Sequence, residues 1–444
     1  MKRILFLTLL LLTLSACCKK ATRPLHPAWS YDAVLYEVNI RQFSPEGTFS
    51  AVEAQLPRLK ELGVDVLWLM PMYAIGTEGR KGTLGSYYAI SDYCRVNPEF
   101  GTMEDFESLL DAAHAAGFKV ILDWVANQTA PDHVWMSTRA ADFYERDSLG
   151  NAIYEYDWTD TRSLNYENEA VWAAQDSCMR FWLDKGVDGF RCDAAGEVPP
   201  KFWLGILPKM RSDYPDAYFL AEAENPVLSD PAVTFDATYA WVLHHLMNEI
   251  ARGEKTAEDL KAYVAADAAA TPPSAFRLMF TSNHDENSWS GTEFERMGDA
   301  ANAMAVLCFT LPKGQPLIYT GQEIGLDRRL EFFEKDPVTD WTPNEYTAFW
   351  KALVDLKHDN PAIAAGERGG DIVWWEVPVP DDVVAFSREL KGNQVIVIAN
   401  FGKEPYTPVF NIPDITYTNH FTGEKIEGPC PLSLEYGEYI VLTR

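Results

Sequence analysis

Eight short apolar runs, separated by stretches with helical spacing, constrain the fold of this chain more than any other feature. They are AVLYEV from Ala33, VDVLWLMP from Val64, KVILDWV from Lys119, VDGFRCD from Val187, YFLAE from Tyr218, FDATY from Phe235, RLMFTSNHD from Arg277 and PLIYTG from Pro316. Strand-like runs that alternate with helical segments imply a parallel sheet covered by helices, and eight such units fit a closed (β/α)8 TIM barrel, an α/β fold. An open doubly wound sheet is the alternative architecture. The helical stretches carry their own punctuation. From Met103 to Ala116, residues Phe106, Leu109, Leu110 and Ala113 share a face, Thr102 and Asp105 form a capping box, and Gly117 supplies the stop. A second helix, Glu169 to Lys185, has Val171, Trp172, Phe181 and Trp182 among its apolar positions and ends at Gly186.

The regions outside this alternation set the domain limits. Residues 124–168, after the third run, are too long for an ordinary βα loop and rich in Asp, Tyr and Trp, so they are read as a small lobe over the barrel mouth. After about Ala365 the pattern becomes short alternating runs (DIVWWEV, DVVAFSREL, NQVIVIANF, YIVLTR), which predicts an antiparallel C-terminal β-sandwich over 366–444 behind a catalytic barrel over 28–365. At the other end, Lys2 and Arg3 precede an apolar run from Ile4 to Leu14, a secretory signal too short to span a membrane. Its LSAC ending resembles a bacterial lipobox. That resemblance implies a signal peptide over 1–16, lipid attachment to Cys17, a tether over 17–27 and an extracytoplasmic, membrane-anchored protein; an ordinary signal cut nearby is the alternative. The later cysteines, Cys94, Cys178, Cys192, Cys308 and Cys430, show no CxxC spacing, which indicates neither a zinc site nor a disulfide framework. A formal net charge of −27 argues against nucleic acid as a partner and favours a neutral substrate.

Chemistry is concentrated where the strands should end. In VDGFRCDAA, Val187 to Ala195, Arg191 and Asp193 are two residues apart and should share a face of the strand. A guanidinium beside a carboxylate favours its ionised form, which suits a nucleophile; an ion pair without chemistry is the other reading of the motif taken alone. Asp123, Glu222 and Asp285 fall at three further strand ends, where loops of a barrel carry its chemistry. Any one of them could merely cap a helix. Together they describe a carboxylate-lined pocket, and two carboxyls in different environments are what retaining cleavage of a glycosidic bond needs. Asp193 is then the candidate nucleophile. Glu222, ending the apolar YFLAE run, is the candidate acid by desolvation, with Glu224 on the same face as its rival.

With these residues in view the chain resembles the alpha-amylase family of glycoside hydrolases. The resemblance rests on four ordered motifs: DWVANQ (Asp123 to Gln128), GVDGFRCDAA (Gly186 to Ala195), FLAEAE (Phe219 to Glu224) and FTSNHDEN (Phe280 to Asn287). It implies that Asp193 is the nucleophile, Glu222 the acid/base and Asp285 a third carboxylate that holds and distorts the sugar. It further implies that Arg191 orients Asp193, that Asp123, Gln128 and His284 belong to the substrate-binding set, and that Tyr88, four residues before Asp92 in YYAISDY, stacks on the reacting sugar. GQPLIYTGQEIGL from Gly314 resembles the family's last strand and loop, from which Gln322 and Glu323 could reach the rim.

Two departures accompany the resemblance. The first motif ends in Gln128 where the family has histidine, which points to altered affinity, since an amide still donates hydrogen bonds. Calcium-binding members use the asparagine here numbered Asn127 together with a histidine four residues past the nucleophile, where this chain has Glu197. A structural calcium at Asn127 is thus an incomplete pattern, and no cofactor is required for the chemistry. The activity implied is retaining hydrolysis of α-glucosidic bonds in α-glucans or maltooligosaccharides. A transglycosylase using the same residues and a non-catalytic surface glucan-binding protein are the competing readings.

Overall fold

The computed structural model describes residues 24–410 and 415–444. The signal segment, Cys17 and most of the tether lie outside the described residues. All eight apolar runs form strands: β1 (Leu35–Val38), β2 (Val66–Leu69), β3 (Lys119–Val125), β4 (Gly189–Asp193), β5 (Tyr218–Ala221), β6 (Ala237–Tyr239), β7 (Phe276–Met279) and β8 (Gly314–Tyr319). Each pairs in parallel with the next, and β8 closes on β1 with Leu317 opposite Leu35, so the sheet is a barrel and not an open doubly wound layer. The helix Met103–Ala116 has the expected capping box from Thr102 and Asp105 and ends at left-handed Gly117, while the second helix runs Glu169–Asp184.

Period-two alternation explains why the site sits at one end. Leu35, Val66, Ile121 and Leu220 point into the barrel and pack with Phe276 and Leu278 as an apolar plug. Two residues further along the same strands come Glu37, Trp68, Asp123 and Glu222, so the polar layer lies above the plug, at the C-terminal mouth. Truncating a plug residue such as Leu220 to alanine would cost about 2–5 kcal/mol and loosen the layer on which the carboxylates rest. Gly189 lets β4 approach β5 closely, because a Cβ there would lie 1.9 Å from the Tyr218 carbonyl oxygen.

Two excursions roof the mouth. After β2 comes an antiparallel hairpin, Tyr73–Ile75 with Ile90–Val96. After β3 comes the small lobe, with paired segments Gln128–Thr129 and Arg162–Ser163 around the helix Val134–Phe143. Trp124 and Val125 still belong to β3, so the lobe begins two residues later than its composition suggested. Beyond the barrel, β9 (Ile372–Trp374), β10 (Val383–Leu390), β11 (Asn393–Asn400), β12 (Thr416–Asn419), β13 (Lys425–Glu427) and β14 (Tyr439–Thr443) form an antiparallel sheet in the order β9-β10-β11-β14-β12-β13. Arg388 of β10 is buried and donates to the carbonyls of Thr310, Leu311, Ala364 and Gly370, which fastens this domain to the end of the barrel helix Ala301–Thr310.

Candidate active site

Arg191 organises the polar layer. It is wholly buried, and its Nη1 donates to Asp123 Oδ1 at 2.9 Å and to Asp193 Oδ1 at 3.0 Å, so Arg191 and Asp193 do share a face of β4. Its Nε donates to the Tyr239 hydroxyl at 3.1 Å, and the guanidinium lies 4.9 Å over the Trp68 ring. Nη2 is 2.9 Å from Glu222 Oε2, near enough for ion pairing, but its N–H vectors miss the carboxylate. Glu222 is therefore held more loosely than Asp193, and it takes its aligned hydrogen bond from the Ala194 backbone N–H at 2.9 Å. That contact requires Ala194 at φ +43°, a left-handed conformation that costs an alanine about 1–3 kcal/mol and that the surrounding structure enforces. Arg191 thus joins two acids, Asp193 through Nη1 and Glu222 through Nη2.

A second chain of bonds holds the rest. His284 Nδ1 bonds Glu37 Oε1 at 2.5 Å, while its Nε2 is 2.6 Å from the Tyr88 hydroxyl and 3.3 Å from Asp285 Oδ2. Tyr88 in turn donates to Asp123 Oδ2 at 3.1 Å, and Trp68 Nε1 donates to the same oxygen at 3.2 Å. Burial pulls the His284 pKa down, but Asp285 and Glu37 outweigh it and hold it at about 9. His284 is accordingly a cation at neutral pH. Its folded pKa stands above the ordinary 6.5, so its charge contributes stability in full below pH 6.5 and loses it as pH rises through about 9. Melting temperature is expected to fall across that alkaline window, and His284→Gln to flatten the fall, as read by thermal melts from pH 6 to 10.

Asp193 departs from the sequence expectation. Burial, opposed by Arg191 but reinforced by Glu222, Asp123 and Asp285, places its carboxyl well above the usual carboxylate range. The spacing of Arg191 and Asp193 suggested a private ion pair, whereas three strands deliver three carboxylates to one guanidinium. Burial raises Asp123 and Asp285 as well. A crowd of acids of this kind titrates as a unit and retains protons that isolated carboxyls would release. Retaining cleavage needs one such proton, on the acid facing the leaving group.

Above this floor lies a cavity of about 980 Å³. Asp193, Glu222, Asp285, Tyr88, Gln128 and His284 all line it. Asp123 and Arg191 do not: placed among the substrate-binding residues by the resemblance, both are fully buried beneath it and act as supports. Gln128 lines the cavity, and its buried side-chain oxygen has no protein hydrogen-bond partner. Glu224 lines the cavity too, but its carboxylate accepts from the Val242 backbone N–H at 2.9 Å, away from Arg191, which leaves Glu222 as the acid paired with Asp193. Gln322 and Glu323 do not reach the rim; Gln322 bonds Thr281, and Glu323 is buried against Tyr36 and Arg58.

Asn127, the asparagine of the calcium pattern, is engaged within the protein. Its side-chain nitrogen donates to Glu155 Oε2 at 3.0 Å, and Glu197 hydrogen-bonds the Tyr156 phenol instead of facing Asn127. A lysine already supplies positive charge to the lobe: Lys81 Nζ donates to the Asp157 carbonyl at 2.7 Å and lies 3.6 Å from Asp160 Oδ1. Among the described residues no cluster of three or more His, Cys, Asp or Glu side chains is arranged for a metal. Sequence reasoning also passed over Glu37, Trp68 and Tyr239, each a polar or aromatic side chain inside an apolar run. Glu37 was the most visible of these, a lone charge in AVLYEV.

Fold and site together define a (β/α)8 barrel of the class that works on sugars in a carboxylate-lined pocket at its C-terminal mouth. Within that class, the chain belongs to the alpha-amylase family: the family's catalytic-domain model matches residues 28–151 and 153–342. Alpha-amylase MalA of Haloarcula japonica is 31% identical over 393 residues, covering 86% of this chain and 57% of that protein, so the chain spans little more than half the relative's length. An oligo-1,6-glucosidase of Heyndrickxia coagulans is 28% identical over 394 residues, covering 70% of this chain and 69% of that one. The crystal structure of an alpha-amylase from Lactobacillus plantarum superposes with a TM-score of 0.82 at 30% identity, covering 93% of this chain and 99% of that one.

Proposed function

We propose that the protein is a retaining glycoside hydrolase that cleaves α-glucosidic bonds in α-glucans or maltooligosaccharides. The observation that carries this reading is the single guanidinium of Arg191 gathering Asp193 and Glu222 beneath a cavity walled by Tyr88, His284 and Asp285. In the first step Glu222 gives its proton to the glycosidic oxygen while an Asp193 oxygen attacks the anomeric carbon, so the C–O bond breaks and a glycosyl ester forms. In the second, ionised Glu222 takes a proton from water, the water oxygen attacks the same carbon, and the ester electrons return to Asp193. Two inversions give net retention. Asp285, bridged to protonated His284, accepts hydroxyls of the reacting sugar, and the Tyr88 ring supports its apolar face.

Reducing-sugar release from starch, pullulan, cyclodextrins and isomaltooligosaccharides tests this reading; release from none of them would end it. The relatives include both an amylase and an oligo-1,6-glucosidase, which is why the panel spans both linkages. The chemistry needs no cofactor, and the Asn127 contacts speak against calcium. EDTA is thus expected to leave activity and melting temperature unchanged; a fall in either that calcium restores would contradict this. The N-terminal charge pattern and LSAC support export and lipid attachment at Cys17, on the outer side of a bacterial membrane. Substituting Cys17 with alanine should move the protein from the membrane to the soluble fraction.

A further inference from the structure

Five cysteines lie among the described residues, all as free thiols, and two of them meet. Cys94 sits in the hairpin strand Ile90–Val96 and Cys178 in the helix Glu169–Asp184. One face of that helix lies along the strand: Gln175 Nε2 donates to the Tyr93 hydroxyl at 3.3 Å, and Trp182 Nε1 donates to the Tyr93 carbonyl at 2.8 Å. Cys178 is three residues after Gln175 and four before Trp182, so it shares their face and is carried to the neighbour of Tyr93. There the two thiols are hydrogen-bonded to each other, which lowers the Cys94 pKa and raises that of Cys178. Both side chains are half-buried. The other three cysteines are placed differently. Cys192 is sealed within β4, Cys308 lies with its sulfur 4.0 Å from that of Met247, and the Cys430 thiol is directed at the Pro431 carbonyl.

We propose that Cys94 and Cys178 are an oxidisable pair that closes to a disulfide in the exported protein. This is independent of the α-glucan reading and rests on the export reading only for its oxidant, a protein or small molecule that carries a reactive disulfide. Cys94, whose ionised form is favoured by the hydrogen bond from Cys178, attacks that disulfide as a thiolate; one carrier sulfur leaves as a thiolate and a mixed disulfide forms. Cys178 then gives up its proton, its sulfur attacks the Cys94 sulfur, and the second carrier sulfur leaves. The pair loses two protons and two electrons, and the carrier disulfide becomes two thiols. The bond closes a loop of about 85 residues that contains β3 with Asp123 and the small lobe with Gln128. One end lies in the roof strand shortly after Tyr88, and the other in the helix that leads into β4 and Asp193. Oxidation therefore staples the roof of the cavity to the element that feeds its nucleophile strand. No CxxC spacing marks the pair, because the fold and not sequence proximity unites it.

Peptide mass spectrometry on two samples of the full chain tests this, each denatured in iodoacetamide and digested without reductant. One sample is taken directly after export by its own N-terminal segment into an oxidising bacterial periplasm; the other is first reduced and then incubated, folded, with oxidised glutathione. In both, a peptide pair joined through Cys94 and Cys178, two hydrogens lighter than its separate parts, is expected, with Cys192, Cys308 and Cys430 alkylated. Oxidised wild type should melt about 5 °C above the reduced protein, and Cys94→Ser and Cys178→Ser should show no such difference. Alkylation of both thiols in both samples, or either one joined to another cysteine, would overturn the pair, and an oxidised protein that melts no higher than the reduced one would overturn the staple. Closure by glutathione with free thiols in the exported sample would overturn closure on export, whereas a chain that is not exported at all refutes the export reading alone.

Discussion

Asp193→Asn is expected to lower turnover of a maltooligosaccharide by at least about 10⁴-fold, with KM little changed. The substitution keeps shape, and its carbonyl oxygen still accepts from Arg191 Nη1, so the floor of the cavity should keep its geometry. What disappears is the electron pair that forms the ester. Stability should move the other way. A carboxyl held above the usual range in the fold binds its proton more tightly folded than unfolded, so its ionisation destabilises the fold as pH rises through that range. Removing it relieves a crowd of three acids around one guanidinium, and the melting temperature at pH 7 should rise. Such an exchange of activity for stability marks a residue kept for chemistry. A fall in both together would instead describe a structural aspartate.

Glu222→Gln should cost about 10²- to 10⁴-fold on the same substrate, the usual worth of a general acid. The loss should depend on the leaving group in a way that no structural defect reproduces. Fluoride departs without a proton, so α-maltosyl fluoride should still form the ester rapidly in this variant and then stall, because water lacks its base. Azide, which needs no base, should restore turnover and give the α-configured glycosyl azide. Glu222 is held by a loose ion pair from Arg191 and a single aligned bond from Ala194, whereas Asp123 is tightly bonded. Glu224→Gln, by contrast, should retain the ester-forming step, since Glu224 is tied to Val242.

The barrel was legible because each strand is a run of apolar residues bounded by helical spacing, and burial on both faces leaves no competing pattern. Arg191 and Asp193 were legible as neighbours because period two is local. What Arg191 does to Asp193 was not, since the result depends on Asp123 and Glu222 arriving from other strands, and the spacing within β4 carries no information about them. Motif membership likewise named Asp123 without showing that Trp68, Tyr88 and Arg191 seal it below the cavity. Tyr156 and Trp158 lie on a loop, where no periodicity marks one aromatic ring as core and the next as exposed. Tyr156 shows this most plainly, since its neighbour two residues on, Trp158, is half-buried.

The central claim is that Asp193 becomes covalently glycosylated, and trapping tests it most directly. Wild type and Glu222→Gln would be treated with a 5-fluoro-α-glucosyl fluoride, whose ester hydrolyses slowly, then digested and sequenced by mass spectrometry. The account predicts a fluoroglucosyl ester on Asp193, in the peptide containing FRCDAA, with the first-formed product of maltooligosaccharide cleavage in the α configuration. An adduct on Glu222 or Asp285, or a β-configured product with no adduct, would contradict it.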